Sequence, residues 1–265
     1  MKVVILAGGF GTRLSEETKN KPKPLVEIGG MPILWHIIKY YESYGFNDFV
    51  ICLGYKGKKI IEFFATQFMY NLNSYKNSNG LETIIYNNKF NNCKITLAET
   101  GQQTMTGGRL KKVAPLIQDT TFLLTYGDVI SNVNIDKSIL FHKEQNVKAT
   151  LTTINPQCKY GVLSFGDDKN KVKLFKEKPV EKSKWVNGGY YIFEPDILEL
   201  IDGETISLEH EPLQNLASQQ QLAAFRHSGF WASMETYKDK LHLENLWESG
   251  NAEWAVWTDS IGKVL

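Results

Sequence analysis

The opening of the chain constrains its fold more than any other stretch. Val3-Val4-Ile5-Leu6 is a short apolar, largely β-branched run that gives way at Ala7 to Gly8-Gly9-Phe10-Gly11. The run predicts a buried strand. Three glycines in four positions let the backbone turn sharply and bring its N–H groups close to a ligand. Successive N–H groups aimed into one concavity form a nest for phosphate oxygens. Arg13 and Lys23 add cationic charge beside it, the first as a two-pronged fork and the second as a point charge. Lys21-Pro22-Lys23-Pro24 is expected to stay extended, because proline biases the preceding residue away from helix. A glycine-rich surface turn is the plainer reading of the glycines alone. The attached cations favour an anion cradle.

Neither common phosphate loop is present. The dinucleotide fingerprint needs a small residue where Leu14 stands. The Gly57-Lys58-Lys59 stretch lacks the hydroxyl residue of a P-loop, and position 52 is Cys rather than Gly.

Downstream, Ile33, Ile37, Tyr40, Tyr41 and Tyr44 recur at helical spacing, and Gly45 reads as a helix stop. Phe49 to Leu53 predicts a second buried strand, and Gly57 to Phe64 a second helix. This alternation argues for a parallel sheet with crossover helices, whose ligands lie beyond the carboxyl ends of the strands. Further strands are expected at Ile95–Ala98, Thr121–Tyr126 and Ala149–Ile154, with a helix over Asn134–Gln145. Residues 68–94 are Asn-rich and irregular, with a weak strand at Leu81–Tyr86, and read as a loop or small extension. The stretch from 237 to 265 reads as a C-terminal helical segment. Together, 265 residues suit one α/β domain with a mixed, mostly parallel sheet flanked by helices.

Composition excludes several functions. A net charge of +1 gives no basic excess for nucleic acid or an anionic membrane. No apolar run approaches the ~20 residues of a membrane span, and no signal-peptide pattern precedes the first strand. Cys52, Cys93 and Cys158 share no metal spacing and read as reduced thiols of a cytoplasmic protein. The five histidines, His36, His142, His210, His227 and His242, read as structural or surface residues.

Three other places carry chemistry. Thr106 can cap a helix entered at Gly107, with Arg109 in its first turn, where free N–H groups and a cation suit a nucleotide. A capped helix with a solvent-facing Arg is the alternative. Gly127-Asp128 ends an apolar strand and puts a carboxylate at the edge that carries the glycine loop. Mg²⁺ takes oxygen ligands and keeps several waters, so one or two such carboxylates suffice. A capping or turn role is the other reading of Asp128. Glu177-Lys178-Pro179, taken by itself, is a solvated charge cluster at a strand end.

Leu6-Ala-Gly-Gly-x-Gly-Thr-Arg-Leu14, with its downstream Lys-Pro, resembles the signature of sugar-1-phosphate nucleotidylyltransferases. The longer strings Gly11–Thr18, Lys21–Gly29, Pro32–Ile37 and Thr104–Lys111 resemble the glucose-1-phosphate cytidylyltransferase branch, which makes CDP-glucose. The resemblance runs from Met1 to about Trp257. It implies the Rossmann-like nucleotide-diphospho-sugar transferase fold, CTP and a sugar 1-phosphate as substrates, Mg²⁺ as cofactor, and a homo-oligomer. It assigns Arg13 and Lys23 to catalysis. The nucleotide would meet Leu6, Ala7, Gly8, Gly9, Gly11, Thr12, Thr104, Arg109 and Gly127 as well. Glu177, Lys178, Asn187 and Gly188 would hold the sugar phosphate, and Asp128 with Glu235 the metal. Two positions depart from the pattern: Val129 stands where the branch has glycine, and Glu235 where it has Asp. The longer side chain moves its oxygens by about 1.5 Å. A shifted backbone, an intervening water or a weaker site would follow. A sugar-transferring enzyme of similar fold would want an Asp-x-Asp metal motif, which Asp128-Val129-Ile130 is not. A nucleotide-binding relative without activity and a cytidylyltransferase with another acceptor are the remaining alternatives.

Overall fold

A computed structural model describes residues 1–68, 73–76, 81–88, 93–117, 120–156, 161–177 and 184–257. Nine strands among them form one sheet: β1 (Val3–Leu6), β2 (Asp48–Leu53), β3 (Asn73–Lys76), β4 (Glu82–Asn88), β5 (Cys93–Glu99), β6 (Phe122–Tyr126), β7 (Ala149–Ile154), β8 (Val186–Phe193) and β9 (Leu222–His227). Their order is β9-β7-β8-β6-β1-β2-β5-β4-β3. Seven of the nine run the same way, and β4 and β8 run against them. The expected mixed, mostly parallel sheet is therefore present.

β1 is central and its four residues are buried. Val3 and Ile5 face one core, and Val4 and Leu6 the other. Helices α1 (Ile33–Ser43) and α2 (Gly57–Phe68) pack on the first face. Helix α3 (Thr106–Ile117) packs on the second. A strand covered on both faces must be apolar throughout, which is why Val-Val-Ile-Leu shows no alternation. α1 ends as its sequence predicts: Gly45 takes φ +82 and donates to Glu42 O at 2.8 Å, and Phe46 N–H reaches Tyr41 O at 3.1 Å. α4 (Ile135–Gln145) starts on an Asn134 side chain that accepts from Lys137 N–H at 2.8 Å. α5 is Glu211–Ser218 and α6 is Tyr237–Glu248.

After β2 and β5 on one side of β1, the chain crosses back to place β6 on the other. This reversal opens a crevice at the carboxyl ends of β1 and β6. Gly127 N–H donates to Leu6 O at 2.9 Å and ties the two ends together.

Several expectations need correcting. Within residues 68–94 the weak strand expected at Leu81–Tyr86 is present as β4, while Asn73–Lys76, a polar stretch read as loop, pairs with it as β3 at the edge of the main sheet. Pro22 is extended (φ −71, ψ 154), but Lys23–Leu25 closes a 3-10 turn where an extended run was expected. Leu25 N–H bonds Pro22 O and Val26 N–H bonds Lys23 O, while burial of Pro24 and Leu25 outweighs the local bias against a turn. The C-terminal helical segment stops at Glu248 and continues as turns to Trp257. Val162–Phe165 and Val172–Lys176 form a separate exposed hairpin. Among the described residues no helix is long and apolar enough to cross a membrane.

Candidate active site

A cleft of about 430 Å³ sits at the β1–β6 crevice. Leu6, Ala7, Gly8, Gly9, Gly11, Thr12, Lys23, Thr104, Arg109, Gly127, Asp128 and Glu235 all line it. Thr106, expected near the nucleotide as a helix cap, lines it too, as do Phe10, Pro24, Gln103, Met105 and Tyr126, which the sequence missed. Arg13 lies in the 3-10 turn Thr12–Leu14 that follows the glycine loop; its side chain is outside the described parts.

The loop holds its shape through specific contacts. Gly11 adopts φ +64, where a Cβ would lie 3.2 Å from Thr18 Cγ2 and 3.3 Å from Lys23 Cβ. Its carbonyl accepts from Leu14 N–H at 3.2 Å and from Thr18 Oγ1 at 3.0 Å, so its own oxygen is turned into the protein. A carbonyl used in this way does not oppose an anion at the loop.

Arg109 sits differently from the expected nucleotide contact. The residue is 5% exposed, and its guanidinium is turned onto the protein. It donates to Leu53 O, Thr100 Oγ1 and Gly101 O at 2.8 Å each, and to Gly8 O at 3.0 Å. The fork thus clamps the segments that follow β1, β2 and β5. A Cβ on Gly8 would lie 2.2 Å from Arg109 Nη1, so this glycine makes room for the guanidinium. Burial lowers the Arg109 pKa from its ordinary value. Thr106 does not act as an N-cap either. It is the first residue of α3, and its hydroxyl donates to Glu209 Oε2 at 2.6 Å and accepts from Leu208 N–H at 2.9 Å.

On the opposite wall Lys23 Nζ lies 2.5 Å from Asp128 Oδ2. Val129–Ser131 pairs antiparallel with Trp231–Ser233, and Met234 N–H donates to Asp128 O at 2.9 Å. Glu235 therefore follows a backbone pinned to Asp128. Its own N–H donates to Asp239 Oδ2 at 3.0 Å, and Asp239 in turn completes the Thr236 capping box of α6. Val129 is buried in the core and does not line the cleft, so it leaves the acidic pair its space.

The residues expected to hold the sugar phosphate are more scattered. Asn187 donates through Nδ2 to the Tyr191 hydroxyl and accepts from Gly189 N–H at 2.9 Å. Gly188 O accepts from Trp231 Nε1–H at 2.7 Å. A Cβ on Gly189 would lie 2.7 Å from Tyr126 Cδ2, which places this part of β8 against the cleft wall. Glu177 follows the exposed hairpin, close to Gly161, and does not line the cleft. Lys178 lies outside the described residues.

Glu209, half-buried, had no signal in the sequence, whereas His36 takes the structural role expected of it. Glu209 accepts from Tyr126, Thr106 and Ser207 hydroxyls. Burial pushes its carboxyl up, but these hydrogen bonds outweigh it and hold the pKa below the ordinary value. His36 is fully buried, with Nε2–H donating to Ile28 O at 2.8 Å and Nδ1 accepting from Trp254 Nε1–H at 3.3 Å. Burial lowers its pKa to about 4, so it is a neutral structural group. Cys52 and Cys93 are free and buried, and burial pushes each thiol to about 12. Cys158 is outside the described residues.

A twisted, mostly parallel sheet with a glycine-lined cleft at its switch point, facing a lysine and two carboxylates, defines a phosphate-handling α/β transferase. The chain belongs to the nucleotidyl transferase family, whose profile matches residues 2–259. It is 46% identical to the glucose-1-phosphate cytidylyltransferase of Salmonella typhi, over 97% of this chain and the whole (100%) of that one. It is 32% identical to a mannose-1-phosphate guanyltransferase of Yarrowia lipolytica, over 91% of this chain and 62% of that one. The fold also matches the crystal structure of HddC from Yersinia pseudotuberculosis, with TM-score 0.67 and 23% identity, covering 93% of this chain and 99% of that one.

Proposed function

We propose that this chain transfers the cytidylyl group of CTP to glucose 1-phosphate, giving CDP-glucose and pyrophosphate. An oxygen of the sugar phosphate attacks the α-phosphorus of CTP in line. The bond from the α-phosphorus to the bridging oxygen breaks, and the pair leaves with pyrophosphate. The attacking oxygen is already ionised near neutral pH, so no general base is required. Catalysis is positioning and charge stabilisation. The backbone N–H groups of the glycine loop are assigned to the triphosphate, together with Arg13 and Lys23. Thr104 is assigned to the nucleotide by resemblance, whereas Arg109 holds the loop in place. Asn187, Gly188, Glu177 and Lys178 are assigned to the sugar phosphate.

The residues fit a hard divalent cation. Asp128 already receives a cationic group, the Lys23 ammonium, on one carboxylate oxygen, and the backbone pairing brings Glu235 to the same wall. Among the described residues no cluster of three or more His, Cys, Asp or Glu side chains is formed. Two carboxylates suit Mg²⁺, which retains several waters. Asp128 and Glu235 would hold it, and when bound it withdraws charge from phosphate oxygens. Lys23, now paired with Asp128, would then serve the triphosphate.

The observation that carries this reading is the convergence of Gly8–Thr12, Lys23, Asp128 and Glu235 on one cleft. The 46% identity over nearly the full length supports the choice of CTP and glucose 1-phosphate. A cytoplasmic homo-oligomer is the corresponding expectation. A pyrophosphate-release screen tests the reaction with each nucleoside triphosphate against glucose 1-phosphate, mannose 1-phosphate and other phosphorylated acceptors. CTP with glucose 1-phosphate should give the highest kcat/KM. Higher turnover with another pair would reassign the substrates, and release with none would leave a nucleotide-binding protein.

A further inference from the structure

Glu209 does not line the cleft, yet it accepts from hydroxyls of two residues that do, Thr106 and Tyr126. Its second oxygen also accepts from Ser207 Oγ at 2.6 Å. A carboxylate only accepts, so the Tyr126 proton must point at Glu209. The Tyr126 oxygen lies 3.0 Å from the Tyr191 hydroxyl, whose proton must then point at Tyr126. The Tyr191 oxygen is left to accept from Asn187 Nδ2, and Asn187 Oδ1 accepts from Gly189 N–H at 2.9 Å. Every donor in this chain therefore has one direction, fixed at its Glu209 end. The ring of Tyr126 is also boxed in: Gly189 at φ +79 leaves no room for a Cβ, which would sit 2.7 Å from Tyr126 Cδ2.

We propose that Glu209 is a positioning residue for the sugar-phosphate acceptor, acting through Tyr126 and Tyr191 to fix the orientation of the Asn187 amide. This rests on the reading above, in which Asn187 and Gly188 face the acceptor. A neutral amide in place of Glu209 keeps the volume but can donate as well as accept. The hydroxyl chain then loses its single polarity, and Asn187 loses its fixed orientation. Tyr126 and Thr106 line the nucleotide cleft at the Glu209 end, whereas Tyr191 and Asn187 at the other end do not line it, and the glycine loop and the Arg109 fork bond instead to Leu14, Thr18, Leu53, Thr100 and Gly101. The effect should therefore fall on the acceptor and spare CTP.

The test is steady-state pyrophosphate release by the full chain with CTP and glucose 1-phosphate varied in turn. Wild type is compared with Glu209→Gln, Tyr191→Phe and the double variant, with Tm recorded for each. Each single change should raise the acceptor KM by on the order of tenfold and leave the CTP KM within about twofold. The double variant should be no worse than the stronger single, because both break one chain. If Glu209→Gln fails to fold, Tyr191→Phe alone gives the same readout. Folded variants with wild-type acceptor KM, or with both KM values raised alike, would overturn the proposal while leaving the assigned reaction intact. A wild-type chain that turns over no sugar phosphate would instead overturn the parent reading, and this proposal with it.

Discussion

Replacing Arg109 by Met separates a clamp from a ligand contact. Methionine keeps the length and apolar stem of arginine and removes the fork. The wild-type guanidinium makes four contacts of 2.8–3.0 Å, to Leu53 O, Thr100 Oγ1, Gly101 O and Gly8 O. Hydrogen bonds from a charged donor contribute about 1.5–3 kcal/mol each before its desolvation is counted. Desolvating a buried ion costs several kcal/mol and cancels much of that gain. Two of the carbonyls also keep other partners, since Leu53 O accepts from Thr100 N–H and Gly8 O from Tyr55 N–H. A net loss of about 3 kcal/mol follows, which for a chain of this size lowers Tm by roughly 6–10 °C. Arg109→Lys should recover only part of this, because one ammonium cannot fork three strand ends. Urea and thermal unfolding measure the loss, and CTP affinity is followed in parallel. Unchanged Tm with collapsed CTP affinity would show that the guanidinium meets the nucleotide, and the clamp would be wrong.

Other outcomes follow from the same geometry. Lys23→Ala should lower kcat by at least ~100-fold, the usual scale for losing a charge contact made in the transition state; near-normal pyrophosphate release would remove Lys23 from that role. Glu235→Gln should raise the Mg²⁺ concentration for half-maximal activity by about tenfold or more, read from a metal titration. Its failure to do so would leave Asp128 as the sole protein ligand. His36 has a folded pKa of about 4 against 6.5 unfolded, so the unfolded chain binds the extra proton between those values. Stability from this group is then full above pH 6.5 and is lost as pH falls towards 4, by on the order of 3 kcal/mol. Urea midpoints across that window should fall more steeply for wild type than for His36→Gln, and equal slopes would refute the assignment.

How much of this was legible depends on the range of the interactions. The glycine loop, Gly45, Asn134 and Asp128 act through their own turns or strand ends, and the sequence shows them directly. Val129 and Glu235 could be flagged as departures, but only the strand pairing shows that one is core and the other stays on the cleft wall. The Lys23–Asp128 pair spans 105 residues, and nothing local to Lys23 predicts a carboxylate partner. Arg109 was placed correctly at the start of a helix, yet its direction is set by carbonyls contributed by three strand ends. Glu209 sits in a polar stretch before α5, where its partners Tyr126 and Thr106 are distant in sequence. β3 was obscured because an edge strand tolerates the Asn and Lys content that argues for a loop, whereas β4, inside the sheet, shows in its Thr-Ile-Ile-Tyr run.

A crystal structure with CTP and Mg²⁺ bound would probe the site most directly. The triphosphate should lie on the Gly8–Thr12 backbone N–H groups, with the cation held by Asp128 and Glu235. Nucleotide seated instead in the larger cavity of about 1040 Å³ beside Tyr55 and Lys58, with the glycine loop untouched, would contradict it.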